Sequence, residues 1–210
     1  MTPRGLTRLQ RRIARIVLRI AASDGFHLAG GSALVASRLT DRPTRSIDVV
    51  TALGTDVPAV AGRVASALRD DGLDVVVIAS SPAFARLEVV ADARRGRFGV
   101  DLGRDRIEWP GTTTSLGPTL SPRELAANKV LALHGRVQPR DLADVASLVE
   151  HVPLDNMLAD AEVKEPGFTT QTLAGMIRMV VARPDPQWPA GVDIAAVRGF
   201  GLDLSKRLEG

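Results

Sequence analysis

From Leu6 to Ala22 the apolar residues Leu9, Ile13, Ile16, Val17 and Ile20 recur at steps of three and four, with Arg8, Arg11, Arg12, Arg15 and Arg19 between them. That spacing places the apolar residues on one helical face and predicts an amphipathic helix with a basic outer face. Phe26 to Ala29 reads as a short strand. Gly30-Gly31-Ser32 follows, then a helix of small residues from Ala33 to about Leu39. Beyond the polar loop Thr40-Asp41-Arg42-Pro43-Thr44-Arg45, the run Ser46-Ile47-Asp48-Val49-Val50 reads as a buried strand with Asp48 near its middle. A helix is expected from Val57 to Asp70. Three strand-like runs come next, Leu73 to Ala79, Ala85 to Val90 and Arg97 to Leu102, separated by the turn sequences Ser80-Ser81-Pro82 and Arg94-Arg95-Gly96.

Residues 103 to 120 are rich in Gly, Pro and Thr and read as a loop. Ser121-Pro122-Arg123-Glu124 has the form of a capping box with proline at the first helical position, so a helix starts there and runs to about His134. After Gly135 and Pro139 a second helix covers Arg140 to Glu150, and further helices are expected near Leu154 to Glu162 and Thr170 to Val181. Pro184, Pro186 and Pro189 then break the chain. The last twenty residues carry no readable pattern, and no repeat or low-complexity segment is present. The expected fold class is α/β in the α+β sense: one mixed sheet with flanking helices and a helical C-terminal part. The expected division is a core at 1–120, including the basic N-terminal helix, and a helical region at 121–210.

Composition narrows the chemistry. The 210 residues contain no cysteine, which excludes thiol nucleophiles, disulfides and cysteine zinc sites, and is most simply read as cytoplasmic. Arginines interrupt the apolar positions of the N-terminal segment, which therefore lacks the unbroken apolar stretch of a signal peptide or spanning helix, and no membrane partner is expected. Twenty-seven basic residues stand against 24 acidic ones, and only Lys129, Lys164 and Lys206 are lysines. Guanidinium groups grip phosphate bidentately, which suits RNA, although a GC-rich genome produces the same bias.

Three features carry candidate chemistry. Gly30-Gly31-Ser32 between a strand and a helix is either a plain turn or a place where backbone N–H groups meet a triphosphate. Asp48 and Asp101, the latter in Phe98-Gly99-Val100-Asp101-Leu102, are each flanked by apolar residues on a strand. Singly each reads as a solvated side chain; jointly, with the glycine turn before them, they read as a Mg2+ site. Lys129 is a lysine in an apolar helical stretch of an arginine-rich chain, and Arg140, Asp141 and Asp144 follow on the next helix, with Arg140 and Asp144 one turn apart. From spacing alone, those three are a surface salt-bridge ladder.

Taken in order, Gly30-Gly31-Ser32-Ala33-Leu34, Arg42-Pro43-Thr44 with Ser46-Ile47-Asp48-Val49, Val100-Asp101-Leu102, Glu124-Leu125-Ala126-Ala127-Asn128-Lys129, and Arg136 with Arg140-Asp141-Leu142-Ala143-Asp144 resemble the AbiEii family. Its members are nucleotidyltransferase-fold toxins of bacterial toxin–antitoxin pairs, related to the mycobacterial MenT toxins. The resemblance spans about residues 26 to 150. It implies a nucleotidyltransferase fold, Mg2+-dependent use of a nucleoside triphosphate, transfer of a nucleotide to RNA, in MenT-like relatives the tRNA 3′ end so that translation stops, and a cognate antitoxin. It also implies that Gly31 and Ser32 hold phosphate and that Asp48 binds the metal; beside them, Gly30 is a nucleotide-binding candidate, Asp101 is the expected second metal carboxylate, and Ser32 with Lys129 is the expected phosphate clamp. Lys129 and Asp144 would complete the catalytic set, and Arg140 would contact phosphate or orient its neighbours.

The chain departs from the superfamily's Asp-x-Asp strand at Ser46, a weak Mg2+ ligand, which puts two-metal chemistry in doubt. Positions two apart on a strand share a face, so Ser46 is expected beside Asp48 and near the nucleotide, where it is a candidate for regulatory phosphorylation. Two other readings stay open: a small-molecule nucleotidyltransferase, whose acceptor pocket would be acidic, and a nucleotide-binding module without activity.

Overall fold

The computed structural model describes residues 5–52, 54–90 and 96–209. The expected turn residues Arg94 and Arg95 lie outside the described residues. The chain forms two compact units, one made of residues 5–37 and 44–121 and the other of residues 38–43 and 122–210.

The first unit begins with α1 (Arg8–Ala21), whose N-terminus is closed by a reciprocal pair: Gln10 N donates to Thr7 Oγ1, and Thr7 N donates to Gln10 Oε1. Its buried residues Ile13, Ile16 and Val17 share one face, and Arg8, Arg11, Arg12, Arg15 and Arg19 are exposed on the other. Next come β1 (His27–Ala29), α2 (Gly30–Ala36), β2 (Ser46–Thr51), α3 (Val57–Asp70), β3 (Asp74–Ser81), β4 (Phe84–Val90), β5 (Arg97–Arg104), β6 (Thr112–Thr114) and β7 (Gly117–Thr119). The strands make one mixed sheet in the order β3-β4-β5-β2-β1-β7-β6. The β2–β5 and β1–β7 pairs are parallel and the other neighbours antiparallel.

Three sequence expectations are corrected here. Residues 103–120 are not all loop: β6 and β7 add two strands. At three residues each, rich in Thr and Gly, they are too short to show alternation, and they are recruited by pairing with the rest of the sheet. The second helix starts at Gly30 and not at Ala33. And β2 is buried on one face only: Ile47, Val49 and Thr51 are buried while Ser46, Asp48 and Val50 are half-buried. The same alternation runs through β4 and β5, where Ala85, Leu87, Val89, Val100 and Leu102 turn inward. Helices α1 and α3 pack with each other and with this sheet, and burying side chains such as Val17, Val60, Val64 and Leu68 contributes roughly 1.5–3 kcal/mol each.

The second unit is helical: α4 (Pro122–Gly135), α5 (Pro139–Leu148), α6 (Leu154–Lys164), α7 (Thr170–Val181) and α8 (Ile194–Arg207). Helix α8 occupies the stretch that the sequence left unread. Asp193 caps it, its carboxylate accepting from Ala196 N, and Gly201 lets it come close: a Cβ there would lie 2.8 Å from Leu142 and 2.9 Å from Val181. A buried Glu124–Lys164 ion pair and a two-pronged Arg123–Asp160 pair tie α4 to α6. Among the described residues no helix is long and apolar enough to cross a membrane.

Candidate active site

The candidate residues fall into two clusters, one in each unit. In the first unit, β1 runs into α2 at Gly30, whose φ of +57° is left-handed. A side chain there is excluded twice over, because a Cβ would also lie 2.4 Å from Asp48 Oδ2. The glycine turn and the strand carboxylate are therefore in direct apposition. The N-cap residue Ala29 supplies no side-chain hydrogen bond to α2, whose first turn is Gly30, Gly31 and Ser32. Ser32 is fully buried; its hydroxyl donates to Ala29 O at 2.9 Å and accepts from Asp48 N at 3.3 Å. In this structure Ser32 thus pins β2 against the turn.

On the half-open face of the sheet, Ser46 Oγ lies 3.1 and 3.2 Å from the two Asp48 carboxylate oxygens and donates to them. Asp48 and Asp101 are register partners on the parallel strands β2 and β5, so both carboxylates point to the same face, side by side. Arg86, directly opposite Asp101 on β4, grips both of its oxygens, Nε to Oδ1 at 2.7 Å and Nη2 to Oδ2 at 2.6 Å. These bonds and the charge of Asp101 hold the guanidinium's pKa above its ordinary value against partial burial, and the Asp48 charge adds to the effect.

The second unit carries a different arrangement. Asp144 on α5 is completely buried and accepts from Arg42 Nε and Nη2, both at 2.9 Å, while Lys129 Nζ on α4 lies 2.7 Å away. Lys129 also reaches Asp141 at 3.3 Å, and Arg136 holds Asp141 with two bonds of 2.8 and 3.0 Å. Burial pushes the Asp141 carboxyl up, but the Arg136 hydrogen bonds and the charges of Lys129, Arg136 and Arg140 outweigh it and hold it below the usual carboxylate range. Arg140 itself is exposed. Asp141 and Asp144, expected on a surface ladder, are instead core residues.

A hollow of about 410 Å³ lies in the same unit against α5 and α8. Asp41, Glu150 and Asp193 surround an apolar wall that includes Ala143, Val197 and Phe200. Arg42 also lines it, with its guanidinium turned to Asp144 and to Pro43 O.

The family model described as nucleotidyl transferase AbiEii toxin, Type IV TA system, matches residues 13–192. The chain belongs to this family. AbiEii membership makes it a nucleotidyltransferase of a toxin–antitoxin type. Two solved structures from Helicobacter pylori share its fold at a TM-score of 0.63. JHP933 is 17% identical, with 97% of this chain and 93% of that one covered. A candidate nucleotidyltransferase is 16% identical, with 97% and 96% covered. No curated protein sequence matches the chain.

Two residues of this AbiEii chain were given no role by the sequence. Arg42 was visible only as part of a motif, and its partner lies 102 positions away. Arg86 sits on a strand of mixed polarity with nothing local to mark it. Strand register alone, which sets Arg86, Asp101 and Asp48 in one row, reveals it.

Proposed function

We propose that this protein transfers a nucleotide from a nucleoside triphosphate to an RNA acceptor, with Mg2+ held at Asp48. The apposition of Asp48 to the glycine turn carries the reading, because it sets a carboxylate beside the first turn of a helix. Gly30, with no side chain between the backbone and Asp48, is where that turn would meet an anionic group. Among the described residues no group of three or more His, Cys, Asp or Glu side chains is placed to hold a metal ion. Asp48 with its neighbour Asp101 fits an ion that keeps water and takes its remaining ligands from triphosphate oxygens, as Mg2+ does. When bound, Mg2+ would neutralise charge on the triphosphate and polarise the α-phosphorus.

In the transfer, an acceptor hydroxyl gives its proton to water, its oxygen bonds to the α-phosphorus, and the bond from that phosphorus to the bridging oxygen breaks, so that pyrophosphate leaves with the electron pair. Asp48 fixes the position of the triphosphate, and Lys129 supplies positive charge to phosphate oxygen. Asp144, whose two oxygens are taken by Arg42 and Lys129, acts by orienting that lysine. Arg140, exposed at the start of α5, is a further phosphate contact. The exposed arginines of α1 favour RNA as acceptor, with the tRNA 3′ end the specific target suggested by MenT-like relatives. Among the described residues Arg8, Arg15 and Arg19 make no ion pair, whereas Arg12 is bound to Asp71. Ser46, whose hydroxyl touches Asp48, is where phosphorylation would place charge against the metal and silence the enzyme.

One observation favours a second reading. The hollow bordered by Asp41, Glu150 and Asp193 suits a small cationic acceptor better than a phosphate chain. The deciding experiment supplies each α-labelled triphosphate with Mg2+ to the purified protein, with either total RNA or a polyamine mixture as acceptor. Label in RNA supports the first reading and label in polyamine the second. Label in neither, with binding retained, supports a module without activity.

A further inference from the structure

The two edges of the sheet differ in kind. β6 closes one side and is three residues long, whereas β3 closes the other and is eight. A strand edge presents backbone N–H and C=O groups that can template pairing with another chain, and proteins blunt such edges with short strands, charge or proline. β3 has little of that protection. Arg69 takes Val75 O at its start, but from Val75 to Ala85 no residue is charged, in a chain where 24% of residues are, and Pro82 comes only after the strand has ended. The large apolar side chains Val76, Val77, Ile78 and Phe84 are exposed together on the β3–β4 hairpin, the first three by about half.

Pairing with β4 sets the faces of this edge. Val75 lies opposite the buried Val89 and turns to the core side, so Asp74 and Val76 turn to the open side with Glu88. The register then steps from Val77 to Ala79, which makes Ile78 an extra residue. Beyond it, Ala79 and Ser81 are on the open side opposite Arg86 and Phe84, and Ser80 is on the core side opposite the buried Ala85.

We propose that a second copy of this chain docks on β3, pairing its own β3 antiparallel with it about a two-fold axis between Val77 and Ile78. In this register Asp74 lies opposite Ser81 of the second copy, Val75 opposite Ser80 and Val76 opposite Ala79. Open-side residues then meet open-side residues, and core-side meet core-side, as antiparallel pairing requires. The bulge does not spoil the match, because each half of the strand meets the other half and the two bulges fall together at the axis. Charge selects the same occupant. A chain of net charge +3 meets its copy here through an uncharged run, and the one carboxylate of β3, Asp74, faces a hydroxyl and not its own counterpart. An edge ~26 Å long and ~10 Å deep covers a few hundred Å2 per copy, the low end of specific interfaces, so the dimer is reversible. Its two sheets become continuous and open to one side, with the two Asp101 carboxylates roughly 25 Å apart by strand spacing.

Sedimentation velocity of the full chain across micromolar concentrations tests this. The wild type is expected to shift from monomer toward dimer as concentration rises. Ile78→Lys sets two ammonium groups beside the axis and is expected to weaken the dimer about tenfold or more. Met179→Lys, on a similarly exposed apolar residue of α7, leaves it unchanged. Circular dichroism confirms that each variant is folded. Because the chain has no cysteine, the register is read by crosslinking under copper–phenanthroline oxidation. A mixture of Val76→Cys and Ala79→Cys proteins is expected to form a disulfide-linked dimer, and either protein alone at most a trace.

A wild type that stays monomeric at every concentration overturns the proposal and leaves this edge to a strand of another protein. So does a dimer that Ile78→Lys fails to weaken, since its contact would lie elsewhere on the surface. Crosslinking as strong in either single variant as in the mixture overturns the two-fold register.

Discussion

The two charged clusters of this chain use the same residue types in opposite ways. On the sheet, Ser46, Asp48 and Asp101 are half-buried and linked to partners that are short, local or half exposed. In the helical unit, Asp141 and Asp144 are wholly buried, and every carboxylate oxygen meets a guanidinium or the Lys129 ammonium. A carboxylate that must exchange ligands during turnover belongs in the first setting, because leaving a charge unpaired costs less near water. In the second setting, removing one partner strands the others in the core. On the proposed reading the sheet cluster binds the ligand, whereas the helical cluster holds Lys129 between Asp141 and Asp144.

That contrast is open to attack first where the effect is largest. Asp48→Asn should cut nucleotide transfer by well over a hundredfold, since even outer-shell partners of metals cost about 10- to 100-fold, with little change in melting temperature. Ser46→Glu should match it, because the added carboxylate would face Asp48. Transfer assays paired with thermal melts separate these outcomes from unfolding. An active Asp48→Asn protein would place the chemistry elsewhere.

The helical cluster should fail the other way. Asp141→Asn is expected to lose about 3 kcal/mol of stability at pH 7, the scale for breaking a buried pair, tempered by the half-exposed Arg136. The folded carboxyl lies below its unfolded value of about 3.9. Its contribution is therefore complete above about pH 5 and is lost as pH falls through about 4 toward the depressed folded value. Urea unfolding at pH 7 and at pH 3.5 should show the gap between variant and wild type narrowing in acid. A gap that does not depend on pH would show that packing, and not charge, carries the cluster.

Much of this was legible in the sequence, and the failures share one cause. The extents of α3 and α7 follow directly from periodicity and caps, and Asp48 and Asp101 stood out as lone acids among apolar neighbours. Local pattern does not reveal which partner a charge will find. It misread Asp141 and Asp144 as a surface ladder, because an i, i+4 spacing looks the same exposed or buried until the facing helix is known. It also left Arg42 and Arg86 without roles, since their partners arrive through chain reversal and strand register. Strands β6 and β7 were missed for the related reason that tertiary pairing, not propensity, creates them.

A smaller effect sharpens the contrast from outside both clusters. Replacing Arg8, Arg15 and Arg19 by Gln should leave stability nearly unchanged but flatten the salt dependence of RNA binding. Each lost phosphate contact removes about 0.7–0.9 from the slope of log affinity against log salt. Fluorescence anisotropy with RNA at several salt concentrations checks this, and an unchanged slope would remove α1 from the RNA interface. Ser46→Ala is the mildest change, deleting a neutral donor to Asp48, and should cost about fivefold or less in transfer.

The absence of cysteine permits the most direct test of the central claim, that Asp48 holds the catalytic metal. Asp48→Cys introduces a single thiol whose softness disfavours Mg2+ and favours Cd2+. The measurement is nucleotide transfer to RNA by this variant and by wild type, with Mg2+ alone and with Cd2+ added. Asp48→Cys is expected to be inactive in Mg2+ and to regain transfer only when Cd2+ is supplied. Full transfer by Asp48→Cys in Mg2+ alone would contradict it.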